Sequence, residues 1–130
     1  MRAVHLLLWV ALLFYLGSPA AGEVVLVTTT DAAGAKHQTP LWIVDRDGQG
    51  WLRAGNADSG WVVRVRANPR IEMERSGAIT AYRVTPVPEA TPEIDALVRA
   101  KYGFKDRLVG WLMPNSRRST LALRLDPDSP

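Results

Sequence analysis

The stretch Thr39–Gly55, TPLWIVDRDGQGWLRAG, restricts the fold more than any other part of the chain. Two runs of aromatic and aliphatic residues flank Asp47-Gly48, a dipeptide that readily takes the positive φ angles of a type I′ turn. Such a turn reverses the chain within two residues, so the segment predicts an antiparallel hairpin. With that turn, Val44 stands opposite Trp51 and Trp42 opposite Arg53, and opposed residues share a face. Leu41, Ile43, Leu52 and Ala54 then form an aliphatic face, and Trp42, Val44, Trp51 and Arg53 the other. A three-residue loop would break this register. The second face has two readings: an aromatic patch packed beneath a helix, or one wall of a site pairing an indole with a guanidinium. The pattern alone favours the packed patch.

The flanking segments continue the β reading. Glu23–Thr30, EVVLVTTT, is a β-branched strand. Asp31–Gln38 reads as a loop through Gly34, with the next strand starting at Leu41 and Pro40 at its entrance. After the polar loop Ala54–Gly60, Trp61–Ala67 has apolar positions 61, 62 and 65, which suit a short amphipathic helix stopped by Asn68-Pro69. Ile71–Arg75 and Ile79–Thr85 alternate on either side of Ser76-Gly77. A second helix follows: Thr91 is the expected N-cap, Pro92 the first helical residue and Gly103 the stop. Its stripe, Ile94, Leu97, Val98 and Tyr102, faces a core. After Leu108–Met113, Ser119–Leu125 is the final strand, and Asp126–Pro130 is expected to fray. The fold class is mainly β: about six short antiparallel strands with one or two short helices. Closing them into a small barrel removes exposed edges.

Residues 1–22 fit an export leader, with Arg2 before the apolar run Leu6–Leu16 and small residues at Ser18–Gly22. The run is short for a membrane span, which needs about 20 residues. An exported or anchored domain from Glu23 to Pro130 is therefore expected, with membrane contact only if the leader stays uncleaved. The chain has no cysteine and only two histidines, His5 and His37, which excludes disulfides, thiol nucleophiles and a multi-histidine metal site. Its formal charge of +3 is scattered, so nucleic-acid binding is not expected. Redox or transfer chemistry here needs a borrowed cofactor.

The order of motifs carries a resemblance. A strand ending in TTT, a glycine loop with Lys36, TPLW, the DG hairpin, WLRAGN, SGW…VRANPRIEME and ALVRAKYG resemble the split β-barrel proteins related to pyridoxamine-phosphate oxidase. Within them the chain is most similar to the deazaflavin-dependent nitroreductase-like branch and its short relatives, over roughly Val25 to Leu125. The resemblance implies a six-stranded split barrel, a homodimer, and an oxidoreductase that uses FMN or the deazaflavin coenzyme (F420 type) for hydride transfer to a small-molecule substrate. By position it implies that Gly34, Lys36 and Thr39 meet the phosphate-bearing tail. Trp42, Arg53, Ala54, Gly55, Asn56, Ser59 and Trp61 would lie beside the ring or its side chain. Lysine and backbone N–H groups suit phosphate, and Arg53 would steady charge on a reduced ring. Two segments depart from the family pattern: DAAGAKHQ has fewer arginines and serines, and AGNADSG lacks the lysine of the glycine-rich segment. The alternative is a non-catalytic envelope barrel that binds a small ligand or partner.

Overall fold

The computed structural model describes residues 23–103 and 119–128, and their strands close into one antiparallel barrel. In chain order these are β1 (Val24–Thr30), β2 (Lys36–Arg46), β3 (Gln49–Ala54), helix α1 (Gly60–Ala67), β4 (Arg70–Arg75), β5 (Ala78–Pro86), helix α2 (Thr91–Tyr102) and β6 (Leu121–Pro127). Around the barrel they run β1-β2-β3-β6-β5-β4 and back to β1. The expected leader and the segment Leu108–Met113 lie outside the described residues.

The hairpin takes the two-residue turn. Asp47 and Gly48 both have positive φ (54° and 77°), and Val44 pairs with Trp51 and Ile43 with Leu52. Positive φ at both central residues gives the turn the right-handed twist its strands need. Ser76-Gly77 does the same for β4 and β5, with Arg75 paired to Ala78. Alternation then sorts side chains into two cores. Val25, Val27, Ile43, Leu52, Ile71, Met73, Val84 and Leu123 fill the barrel, with Trp61, Val62 and Val65 of α1 plugging one end. Outside the barrel, Val44, Trp51 and Ala122 pack against Ile94, Val98 and Tyr102 of α2. The Trp42/Trp51 face is therefore packed beneath a helix, where the Trp42 ring stacks on Tyr102 with centroids 4.4 Å apart. The guanidinium over Trp51 is that of Arg46, at 5.6 Å.

Three expected boundaries move. The 31–38 loop shrinks to a turn, because Lys36–Pro40 pair with Leu26–Thr30 of β1. Pro40 is tolerated inside β2 because that half of the strand has no ladder to β3, whose pairing starts at Ile43. Thr91 does not cap α2, whose N-cap position is Ala90; its Oγ1 accepts from the Ala122 amide of β6 at 3.0 Å and so ties the helix to the barrel. The expected fraying tail is strand as far as Pro127, since Asp126 pairs with Arg83 and Pro127 with Tyr82.

The end of the barrel at the β2–β3 and β4–β5 turns, here the lower end, is closed by charge. Arg75 donates Nε to Glu23 (2.8 Å) and Nη2 to Asp45 (2.7 Å), and Lys101 Nζ meets the same Glu23 at 2.6 Å. Hydrogen bonding to Arg75 holds both carboxyls below their ordinary range, against a smaller opposing effect of burial. A carboxyl depressed in the folded state adds stability above its unfolded pKa and loses it as pH falls through the folded value. The wild-type melting temperature is therefore expected to fall below about pH 4, and Arg75→Met should flatten that acid limb. An unchanged acid limb in the variant would contradict the assignment. These groups are partly exposed, so screening keeps the effect small at neutral pH.

Candidate functional site

The opposite, upper end gathers the β1–β2 turn, the loop that ends β3 and the head of α1. The loop is held by short bonds. Asn56 Oδ1 accepts from the Asp58 amide (2.9 Å), the Ser59 amide donates to Asn56 O (3.1 Å), and the Ala57 amide donates to Ser119 O (2.7 Å) at the entry to β6. Ser59 is the N-cap residue of α1, in extended conformation, yet its hydroxyl makes no capping bond. That oxygen is buried and has no hydrogen-bond partner among the described residues. A buried hydroxyl without a partner costs about 1–3 kcal/mol, so its place at a helix head points to a missing acceptor or donor.

The second component is Arg64. Its side chain leans back toward the start of α1, as helical side chains do, and Nη1 lies 3.0 Å from where a Cβ on Gly60 would stand. A side chain at position 60 would displace the guanidinium; glycine admits it. Nε donates to Thr29 Oγ1 at 2.8 Å, and Thr29 is fully buried at the end of β1. Among the described residues Nη1 and Nη2 have no hydrogen-bond partner. Arg64 is thus fixed by one nitrogen and open at two, beside uncapped amides whose helix-end position leaves them without intrahelical acceptors. Open amides, the positive end of the helix dipole and a guanidinium fork together suit a phosphate. Arg64 was missed at the sequence level. The available signal was one cation among Trp61, Val62 and Val65, one turn after Ser59-Gly60.

Beside this cradle the β1–β2 turn carries a fixed pair: His37 Nε2 lies 2.8 Å from Asp31 Oδ2. The bond to His37, with backbone N–H groups of Ala35 and Ala33, holds the Asp31 carboxyl below its ordinary range. Register puts His37 opposite Thr29 and Thr39 opposite Val27, on the inward rows, whereas Lys36 stands opposite Thr30 on the outer row and is exposed.

The implicated residues therefore divide. Gly34 (φ 85°), Lys36, Thr39, Gly55, Asn56 and Ser59 border the upper end. Ala54 and Trp61 belong to the barrel core, at 0% and 6% exposure. Trp42 and Arg53 sit on the outer face under α2, and Arg53 Nη1 lies 3.5 Å from Asp95 Oδ1, whose other oxygen accepts from Thr120.

The family model described as F420H(2)-dependent quinone reductase matches residues 15–107, which take in β1–β5 and both helices. No curated protein matches. Solved structures of low identity share the fold, three of them as follows. One is a conserved hypothetical protein from Mycobacterium tuberculosis, with TM-score 0.59 and 18% identity over 85% of this chain and 76% of that one. Another is an F420-H2 dependent reductase, with TM-score 0.61 and 20% identity over 80% and 94%. The third is described as a domain-swapped dimer, with TM-score 0.62 and 20% identity over 80% of both chains.

Proposed function

The chain belongs to the F420H(2)-dependent quinone reductase family, a deazaflavin-dependent oxidoreductase family, and we propose that it grips the coenzyme's phosphate at the head of α1. The observation that carries this reading is the buried, unpartnered Ser59 hydroxyl beside the two open nitrogens of Arg64. These groups fit a phosphate in number and kind: one hydroxyl, one guanidinium edge and helix N–H groups. Lys36 and Thr39 from β2 and the Gly55–Asn56 loop complete the rim in this reading. When bound, the reduced deazaflavin supplies a hydride to the substrate.

The chain's own residues have narrower tasks. Arg64 and Ser59 hold the phosphate end. Thr29, by receiving Arg64 Nε, keeps the guanidinium aimed. Trp61, Val62 and Val65 seal the barrel below and exclude water from the floor of the site. The cofactor does the redox work and the barrel supplies position and charge. Arg53, paired with Asp95, serves the docking of α2 in this account.

The direct test reduces the deazaflavin coenzyme, adds the protein and a small quinone such as menadione, and follows the return of the oxidised coenzyme's visible absorbance. Protein-dependent reoxidation that saturates with coenzyme supports the reading; a rate equal to the protein-free control sinks it. We also infer a homodimer, motivated by the domain-swapped dimer among the similar structures, and export through residues 1–22, motivated by Arg2 before the Leu6–Leu16 run. A monomer mass in sedimentation equilibrium would end the first. Retention of the intact chain in the cytoplasmic fraction would end the second.

A further inference from the structure

The lower end of the barrel holds a cavity of about 310 Å³ that the phosphate cradle does not use. Its walls include Ile43, Met73 and Leu125, with Tyr82, Gln49 and Gly50 between them and Asp45 and Arg75 at its edge. Register shows why it exists. Asp45 pairs with Gly50, and the row of Ile43 and Asp45 on β2 faces inward with Met73 and Arg75 on β4. Gly50 thus occupies an inward position with no side chain. A Cβ there would stand 3.2 Å from Leu125 Cδ1 and 3.5 Å from Ile43 Cδ1, and any larger group would extend into the cavity.

The chemistry of the lining defines what fits. Asp45 and Arg75 satisfy each other through two bonds of 2.7 and 3.1 Å, and Glu23 takes the remaining edge of Arg75. Arg75 is already engaged by two carboxylates and Asp45 by Arg75, so a charged ligand gains a counter-charge here only by displacing one of those partners. The open polar group of the lining is neutral. The Tyr82 hydroxyl makes no hydrogen bond among the described residues. Gln49 stands on the outward row with Trp51 and spends its Nε2 on Asp126 and Leu125 O, so its amide head does not serve the cavity. Aliphatic walls around one open hydroxyl are the composition of a small-ligand pocket, at the lower end of the usual size range of about 300–1,000 Å³.

We propose that the lower end of the barrel, between Gly50, Met73, Tyr82 and Leu125, is a second binding site for an uncharged one- or two-ring compound bearing a hydroxyl or carbonyl. It is separate from the phosphate cradle, because the β2–β3 and β4–β5 turns that frame it lie at the opposite end of the strands from Ser59 and Arg64.

The test uses the full chain labelled with ¹³C at its methionine methyls, of which the sequence has three, with the Met73 signal assigned by Met73→Leu. Titration with 1-naphthol should shift the Met73 methyl saturably. The charged analogue 1-naphthoate should bind at least tenfold more weakly. Gly50→Val, which occupies the cavity, should abolish the shift, and Tyr82→Phe should weaken binding several-fold. Saturating deazaflavin coenzyme should leave the 1-naphthol affinity unchanged, so failure at the cradle and failure here read out separately. A Met73 methyl that does not move overturns the proposal. So does an equal response in Gly50→Val, or equal affinity for 1-naphthoate. Should Gly50→Val fail to fold, Tyr82→Phe and the naphthol–naphthoate pair decide the matter.

Discussion

Arg64→Ala is expected to raise the dissociation constant for the deazaflavin coenzyme by about ten- to a hundred-fold. The size follows from the bonds removed. A hydrogen bond to a charged group is worth about 1.5–3 kcal/mol, and each 1.4 kcal/mol is tenfold in affinity. The cost to folding should be far smaller, because Arg64 is partly exposed and gives the barrel only its Nε bond to Thr29. Thr29 keeps a long contact, 3.4 Å, to His37 O. The conservative variant separates charge from shape. Arg64→Lys keeps a cation at the head of α1 but loses the fork that serves Thr29 and phosphate together, so it should recover part of the affinity only. Fluorescence or absorbance titration of each variant, with circular dichroism to confirm folding, checks both. An Arg64→Ala protein that binds the coenzyme like wild type would remove the guanidinium from the site.

Tyr102→Ala is expected to cost the fold about 3–5 kcal/mol, the range found for large buried aromatics truncated to alanine. Three separate interactions meet in this residue. Its ring stacks on Trp42 and packs with Val44, Ile94 and Val98 in the outer core. Its hydroxyl proton is shared between Ile43 O at 2.7 Å and Glu23 O at 2.8 Å, which fastens the last turn of α2 to β2 and to the start of β1. Burial pushes its ionisation up to about 12, so the hydroxyl stays a donor throughout the physiological range. Tyr102→Phe keeps the ring and should lose only about 1 kcal/mol, the usual net worth of one hydrogen bond. Chemical denaturation resolves the two. Equal losses would mean that the hydroxyl, and not the stacked ring, anchors the helix.

The hairpin's turn and its pairing of Val44 with Trp51 could be read from sequence because Asp47-Gly48 fixes both turn geometry and register, and the faces then follow from strict alternation. The α2 stripe was readable for the same reason, since Ile94, Val98 and Tyr102 repeat at helical spacing. Errors arose where long-range pairing overrode local composition. Lys36–Gln38 looks like loop but is drawn into strand by β1, and Asp126 looks like a frayed tail but is held by Arg83 across the sheet. Arg53 shows the limit of a face argument. An arginine on an aromatic face implies a partner, yet Asp95 lies on a helix 42 residues away. Arg64 escaped notice because a helix pattern assigns its polar positions to solvent; only the fold reveals that this one turns back toward Gly60.

In the proposed complex the coenzyme's phosphate sits at the head of α1. Amide ¹H–¹⁵N shift mapping during titration with the deazaflavin coenzyme tests it most directly. The largest saturable changes are expected at Ser59, Gly60, Trp61 and Val62, with a shift of the Arg64 Nε–H signal and little movement at Gly48, Gly50 and Ala78 of the lower end. Saturable binding whose largest changes fall on the lower end or on the outer face of α2, with Ser59 to Val62 unmoved, would contradict it.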